Sequence, residues 1–575
     1  MPKVEVNEKL FFNLVGKKYN CDELFEKKLT HAKAELDEKP DETQSEDDRV
    51  IKIELNDTNR PDLWSTAGFG RLLKLYLGGK VPEYPFFSKK GDIKDNGGRT
   101  VEVDASVKDI RPYEVCFAVR SKEGITDAGL KDIIQTQEKL CWNYGRKRKS
   151  IAMGVFRSDM IKFPVKYYAA DPDKTKFAPL GFTEKMTLRE ILEKHPKGQE
   201  FGHIIKDMKA YPYITDSDGN TLSMPPVINS NESGAVEVGD KNLLVEITGT
   251  DMPSLVLSAS IVACDLYDSG FEILPVKVIY PYDTPFGREV TIPYYFQEPV
   301  SVDIKYVNKL LGEGFTVENA SQYCQKMGSR TKVDGDIITV YPPEYRNDFL
   351  HSVDVIEDIM IGRNLKNFVP EMPSDFTKGS ISPESNFGRQ IKNIMVGLGY
   401  QEMTYCYLGS EKDFIQKMNI TPEKVVQISN PMSENFEFVR PSVLPCLLNS
   451  ESISSNAVYP HNIFEIGKIA IIDPSENYGV RTINSLGFLS ADKDTNFNTL
   501  NSQITALFYY MGADYTLKEA EDSRFITGRC AKIISGGKEV GIMGEINPVV
   551  LENWGIQVPC SACEVDLDII LKNKK

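Results

Sequence analysis

Asp354, Glu357 and Asp358 fall at i, i+3 and i+4 of a segment in which Val353, Ile356 and Met360 repeat at one helical spacing and Val355 and Ile359 at another. That pattern predicts a mostly buried helix capped by Ser352, with the three carboxylates sharing its one polar face near the N-terminus. Asp348 can join them from the preceding turn, Pro342-Pro343-Glu344-Tyr345-Arg346-Asn347-Asp348. Clustered carboxylates repel one another unless a cation sits among them, and hard oxygen ligands suit magnesium, which keeps several of its waters. The same spacing also makes an ordinary solvated acidic face, and spacing alone leaves both readings open.

A second carboxylate stands out for its surroundings. In Leu243-Leu244-Val245-Glu246-Ile247-Thr248, period-two geometry puts Leu243, Val245 and Ile247 on one face of a strand and Leu244, Glu246 and Thr248 on the other. A carboxylate inside so aliphatic a strand must find hydrogen-bond donors or line a polar cavity, because burying it unpaired is costly. A satisfied structural glutamate is the plain alternative. The basic run Arg146-Lys147-Arg148-Lys149 follows a helix closed by Gly145. Its cations suit the negative end of the helix dipole; they read either as a solvated surface or as a phosphate contact.

Other chemistry is thinly represented. Ten cysteines are scattered, and the one close pair, Cys560-Ser561-Ala562-Cys563, lacks a second pair and precedes a strand-like Val565-Asp566-Leu567, so packed thiols are expected. Five histidines form no HExxH motif, and neither a Walker A loop nor a Gly-x-Gly-x-x-Gly after a strand is present. The net charge of -15 argues against wholesale coating of nucleic acid, so any RNA contact must come from local basic patches or a partner subunit. No apolar run approaches the ~18 residues of a membrane span, and Met1-Pro2-Lys3-Val4-Glu5 is no signal peptide, so a cytoplasmic protein is expected.

A chain of 575 residues is too long for one core. The reading is an α+β multidomain protein of four units. Residues 1–95 form an α/β domain, with a strand at Ile51, Ile53 and Leu55, then a turn Asp57-Thr58-Asn59-Arg60-Pro61-Asp62 and a helix carrying Leu72, Leu73 and Leu77. The acidic run Asp41 to Asp48 is a solvated loop. Residues 96–285 hold mixed sheets, 286–372 a small helical domain with the carboxylate cluster, and 373–575 an antiparallel sheet with helices on one side and a hairpin through Ser535-Gly536-Gly537.

The turn Pro-x-x-Arg-x-Asp followed by Asp-x-x-Glu-Asp resembles the magnesium-binding domain of the phenylalanyl-tRNA synthetase beta subunit. Asn59-Arg60-Pro61-Asp62 resembles its N-terminal domain. The basic run before Ile151-Ala152-Met153-Gly154, with Tyr211-Pro212-Tyr213-Ile214, Leu222 to Asn229 and Leu243 to Asp251, resembles the editing domain of archaeal and eukaryotic-type beta subunits. Ile428 to Met432 and Val439 to Pro445 look like the catalytic-like, class II synthetase module.

The resemblance implies a subunit that supports ATP-dependent charging of tRNA-Phe by an alpha subunit in a complex of two alpha and two beta chains. It also implies hydrolysis of mischarged tyrosyl-tRNA in a pocket built from Ser223, Glu246 and Thr248, with Ile214 and Asn229 contacting the substrate and Arg146, Lys147, Arg148 and Lys149 contacting RNA. Relatives often carry Asp where this chain has Glu246. One magnesium ion would sit on Asp348, Asp354, Glu357 and Asp358. ATP would be bound mainly by the alpha subunit, because the Gly-x-Gly-x-Gly-x-x-Arg segment of a working class II site is missing and Gly541-Ile542-Met543-Gly544-Glu545 carries an acid instead. A structural tRNA-binding scaffold that has lost editing is the alternative.

Overall fold

The computed structural model describes residues 3–19, 29–56, 59–90, 95–454 and 456–573; Met1–Pro2 and Asp57–Thr58, quoted above, lie outside these. It divides into two units, Met1–Glu371 and Met372–Lys575.

The first unit opens with a three-stranded antiparallel sheet in which Val50–Leu55 lies between Lys3–Asn7 and Ala34–Glu38. Ile51, Ile53 and Leu55 point into the core, as the alternation predicts. The helix Thr66–Tyr76 follows, capped by Ser65, whose hydroxyl accepts the Gly68 N–H. The Asp41–Asp48 run is exposed.

A ten-stranded sheet comes next, and its order explains what it encloses. One end holds Ile228–Asn229, Thr221–Met224, Tyr211–Thr215 and Val165–Ala170; the other holds Tyr113–Arg120, Asn242–Gly249 and Ile151–Arg157. Thr100–Val103 and Glu272–Ile279 join the two ends and pair in parallel. Residues from both ends line one cavity, so the sheet curls until it nearly closes as a barrel. The helix Met252–Asp268 packs across it, apolar on almost every side and therefore buried for most of its length.

The small domain differs from the expected helical one. Alongside the helices Ile304–Leu311, Val317–Lys326 and Ser352–Arg363 it contains an antiparallel sheet ordered Val300–Asp303, Ile337–Tyr341, Arg330–Asp334. The last strand lies at the edge with mostly polar, exposed side chains, so it carries no hydrophobic alternation to announce it.

In the second unit a seven-stranded sheet runs Gln401–Glu402, His461–Ile472, Val480–Ala491, Cys560–Asp566, Lys538–Ile546, Phe525–Ser535, Thr516–Glu519, antiparallel except at its first pair. Helices cover both faces rather than one. Leu486 and Phe488 meet the helices Pro383–Gly397, Phe497–Met511 and Leu567–Asn573, while Ile483, Leu489 and Ala491 meet Leu444–Ile453 and Pro548–Trp554. A strand apolar on both faces demands two covering layers. Gly536 and Gly537, at φ 57° and 75°, make the expected hairpin turn. Cys560 and Cys563 are buried in the sheet.

Candidate functional site

Glu246 stands in the middle of Asn242–Gly249, opposite Cys116 on one neighbouring strand and Gly154 on the other. The absence of a side chain at Gly154 makes its room, since a Cβ there would lie 3.1 Å from Glu246 Oε2. Ser223 reaches the same space from the other end of the curled sheet. These two and Thr248, Asn229, Gln137, Arg148, Met153 and Lys197 line a cavity of about 160 Å³. Ile214 is fully buried opposite Ser223 in the strand register but is not among the lining residues.

Two polar atoms in this wall have no partner. Glu246 Oε1 and Ser223 Oγ are buried without a hydrogen bond, which in a folded protein marks strain, an unseen water or a place for a ligand. Burial pushes the Glu246 carboxyl up to about 8, against the opposing pull of the Arg111 charge and the Thr248 hydroxyl. Arg111 locks the wall in place: its Nε donates to Thr248 Oγ1 at 3.0 Å, and its Nη groups donate to the carbonyls of Thr248 and Lys149. Thr248 is thereby occupied as an acceptor and acts as a spacer between Arg111 and the cavity.

Sequence reasoning missed Arg111, and it missed Glu114. Glu114 faces Thr248 directly across the strand pair, on the side of the sheet that carries Glu246. It is 1% exposed, neither carboxyl oxygen has a partner, and burial followed by the charge of Glu246 holds its pKa well above the carboxylate range. Two neighbouring buried carboxyls cannot both ionise cheaply.

The basic run splits. Arg146, Lys147 and Arg148 all adopt left-handed backbone angles, φ 51°, 55° and 67°. Arg146, Lys147 and Lys149 are exposed. Arg148 departs from the expected RNA contact: it turns inward, donates to the carbonyls of Pro226 and Val227 at 3.2 and 3.0 Å, and lays its guanidinium 4.1 Å from the Phe201 ring. It builds the cavity wall.

The expected magnesium ligands do not converge. Arg346 sits where the cation would: it binds Asp348 through Nε and Nη2 at 2.9 and 2.7 Å and Asp358 through Nη1 at 2.7 Å, all buried or nearly so. Burial opposes the Asp348 charge, yet the guanidinium outweighs it and holds that carboxyl well below its usual range. Asp354 instead caps its own helix, accepting the N–H groups of Leu350 and His351 at 2.7 Å each. The cap is therefore His351, one residue before Ser352. Glu357 pairs with Lys33. Among the described residues no group of three or more His, Cys, Asp and Glu side chains could hold a metal ion, so these four do not fit magnesium as they are placed.

The same cluster joins the two turns singled out in the sequence. Arg60, 7% exposed, binds Asp62 in bidentate fashion at 2.7 and 2.8 Å, and burial and then the Arg346 charge act against its own, offset by Asp62 and Asp348. Lys33 to Glu357, and Arg71 stacked 4.1 Å over Tyr345, extend the contact between the N-terminal and small domains.

A curled sheet around a small polar cavity and, in the second unit, a sheet covered by helices agree with matches to tRNA synthetase domains along the chain. The description "Phe-tRNA synthetase beta subunit B1 domain" matches residues 1–79, "tRNA synthetase B5 domain" 300–364, and "Phenylalanyl tRNA synthetase beta chain CLM domain" 368–567. The chain is therefore an aminoacyl-tRNA synthetase subunit. It belongs to the beta-subunit family of phenylalanine–tRNA ligase. The beta subunit of Borrelia garinii subsp. bavariensis is 47% identical over 571 residues, covering 99% of each chain, and that of Borreliella afzelii is 47% identical over 575 residues, covering 99% of this chain and 100% of the relative. An N-terminal fragment of the phenylalanyl-tRNA synthetase beta subunit from Pyrococcus horikoshii has a TM-score of 0.57 and 36% identity, and covers 63% of this chain and 99% of that fragment. The two whole-chain relatives are bacterial and do not show the expected archaeal or eukaryotic type. Beta subunits act with an alpha subunit and tRNA. Among the described residues no helix is long and apolar enough to cross a membrane.

Proposed function

We propose that the cavity around Glu246 hydrolyses tyrosyl-tRNA-Phe made in error by the ligase. The observation that carries this is the pair of unpartnered polar atoms, Glu246 Oε1 and Ser223 Oγ, buried in one small cavity lined by both polar and apolar groups. A synthetic pocket for phenylalanine cannot strongly reject an isostere that merely adds a hydroxyl, whereas a second site that hydrogen-bonds that hydroxyl selects it. Glu246 and Ser223 are free to do so, and phenylalanine would leave them unsatisfied at a cost. The lining residues include no Cys or His, Ser223 Oγ has no hydrogen-bond partner to act as its base, and Lys197 is tied to Glu200, so in this reading water attacks the ester and no covalent intermediate forms. Arg148 and Thr248 set the shape of the wall.

In this reading the ligase assembles as two alpha and two beta chains in the cytoplasm, and ATP binds mainly on alpha. The exposed Arg146, Lys147 and Lys149 meet tRNA phosphates at the cavity mouth. The N-terminal part follows the archaeal and eukaryotic plan, which the likeness to the Pyrococcus fragment supports. Deacylation of tyrosyl-tRNA-Phe by the alpha–beta complex is the test. Glu246→Ala should lower it by at least tenfold, since a buried hydrogen bond to the distinguishing group is lost, while phenylalanine charging stays near normal. Unchanged deacylation would return the chain to a tRNA-binding scaffold.

A further inference from the structure

Of the three tryptophans, Trp64 and Trp554 are buried at 2% and 6% exposure, while Trp142 is 47% exposed. It lies in a widened π turn, Leu140–Tyr144, that ends the helix Asp127–Lys139 just before the basic run. Such turns are frequent at functional sites. The next residues confirm that the local backbone is over-determined. Three successive left-handed residues are costly for non-glycine side chains, yet Lys147 N–H donates to the Trp142 carbonyl and Arg148 N–H to that of Cys141, both at 2.9 Å. The result sends Arg148 inward and leaves Arg146 and Lys147 outside with Trp142.

A continuous chain of contacts then links that surface to the cavity. Arg148 and Lys197 line the cavity and both lie over Phe201, at 4.1 and 5.4 Å. Phe201 meets Trp142 edge-on at 6.4 Å, and Lys147 Nζ lies over the Trp142 ring, 5.2 Å from its centroid. Of the nearby acids, Glu200 is tied to Lys197 at 2.9 Å. Among the described residues Arg146, Lys147 and Lys149 make no ion pair. A half-exposed aromatic ring flanked by cations that make no ion pair is the combination that binds single-stranded nucleic acid, the ring stacking a base of any sequence and the cations following the backbone.

We propose that Trp142, with Arg146 and Lys147, is a stacking platform for an unpaired base of the tRNA 3′ end while the aminoacyl ester reaches the cavity. This rests on the hydrolytic reading above. The test uses the alpha–beta complex and an uncharged RNA hairpin carrying an unpaired CCA end, against the same hairpin trimmed flush. The signal is the fluorescence of the complex minus that of its Trp142→Phe variant. The overhanging hairpin should quench it and the flush one should not. In deacylation of tyrosyl-tRNA-Phe, Trp142→Ala should raise KM on the order of tenfold with kcat unchanged, and Trp142→Phe should stay near wild type. No quenching, or equal quenching by the flush hairpin, would overturn the platform even if deacylation is fully active. Quenching by the overhang alone with no deacylation would uphold the platform and remove the hydrolytic reading.

Discussion

With its carboxyl pushed up to about 8, Glu246 is mostly neutral at pH 7 and carries both a donor and an acceptor, the complement of a phenol hydroxyl. Glutamine keeps both capacities without the titration, so Glu246→Gln should retain more tyrosyl-tRNA hydrolysis than Glu246→Ala. The same substitution tests the burial. A carboxyl whose folded pKa is raised binds a proton in the fold that the unfolded chain releases, so stability falls as pH rises from about 4.5 to about 8 and is flat on either side. The thermal midpoint of Glu246→Gln should therefore gain on wild type by a few degrees between pH 5 and pH 8. Glu114 contributes a slope of the same sign, which the additional Glu114→Gln change should remove. Equal pH dependence in wild type and the double variant would mean that both carboxyls ionise freely. Alternation along the strand was enough to put Glu246 and Thr248 on one face. Glu114 was not legible, because its strand is buried on both faces and one acid among Val115, Cys116 and Phe117 names no partner.

At the scale of elements, helical periodicity found the helix Ser352–Arg363 and the shared face of its acids, but spacing says only that side chains are neighbours, not what fills the space between them. The filler was inside the quoted turn: Arg346 reaches back over the helix and neutralises Asp348 and Asp358. Arg346→Met would strand two buried carboxylates and should destabilise the fold by about 3–5 kcal/mol at pH 7, measured by chemical denaturation. Part of that loss should return at acid pH. Asp348, depressed in the fold, contributes stability above its unfolded pKa that wild type loses as pH falls, whereas the variant has little left to lose. The competing reading makes the opposite demand. If a cation rather than Arg346 balances these acids, EDTA should lower the midpoint of the wild-type protein and magnesium should restore it; the placement of the four carboxylates predicts no change. The polar edge strand Arg330–Asp334 shows a second limit of periodicity, since an element that buries little leaves no apolar signature.

For the molecule as a whole, the question is which half of the ligase reaction this chain can perform by itself. Activation of phenylalanine needs cations poised for a triphosphate, and the sheet of the second unit holds acids at its polar positions. Arg440 is fully buried and spent: its Nη groups bind Glu465 at 2.8 and 3.0 Å and its Nε donates to the Lys468 carbonyl. The strand passes so close that a Cβ at Gly467 would fall 2.0 Å from Arg440 Nη2, leaving no approach for a phosphate. Glu545, the acid noticed in the sequence, takes the Phe497 N–H at 2.9 Å and pairs with Arg529 at 2.6 Å. Glu564 collects the Ser442 and Ser485 hydroxyls and the Val443 N–H. The missing glycine segment raised this expectation from the sequence; the pairing of Arg440 and Arg529 with carboxylates did not show there, because the partners lie 25 and 16 residues along the chain. Phosphate brought to this face would displace a buried ion pair and meet uncompensated negative charge. The purified chain should thus catalyse no phenylalanine-dependent exchange between ATP and pyrophosphate, and adding the alpha subunit should establish it. Exchange by a preparation free of alpha would mean that a nucleotide site exists on this chain outside the sheet that looks built to refuse one.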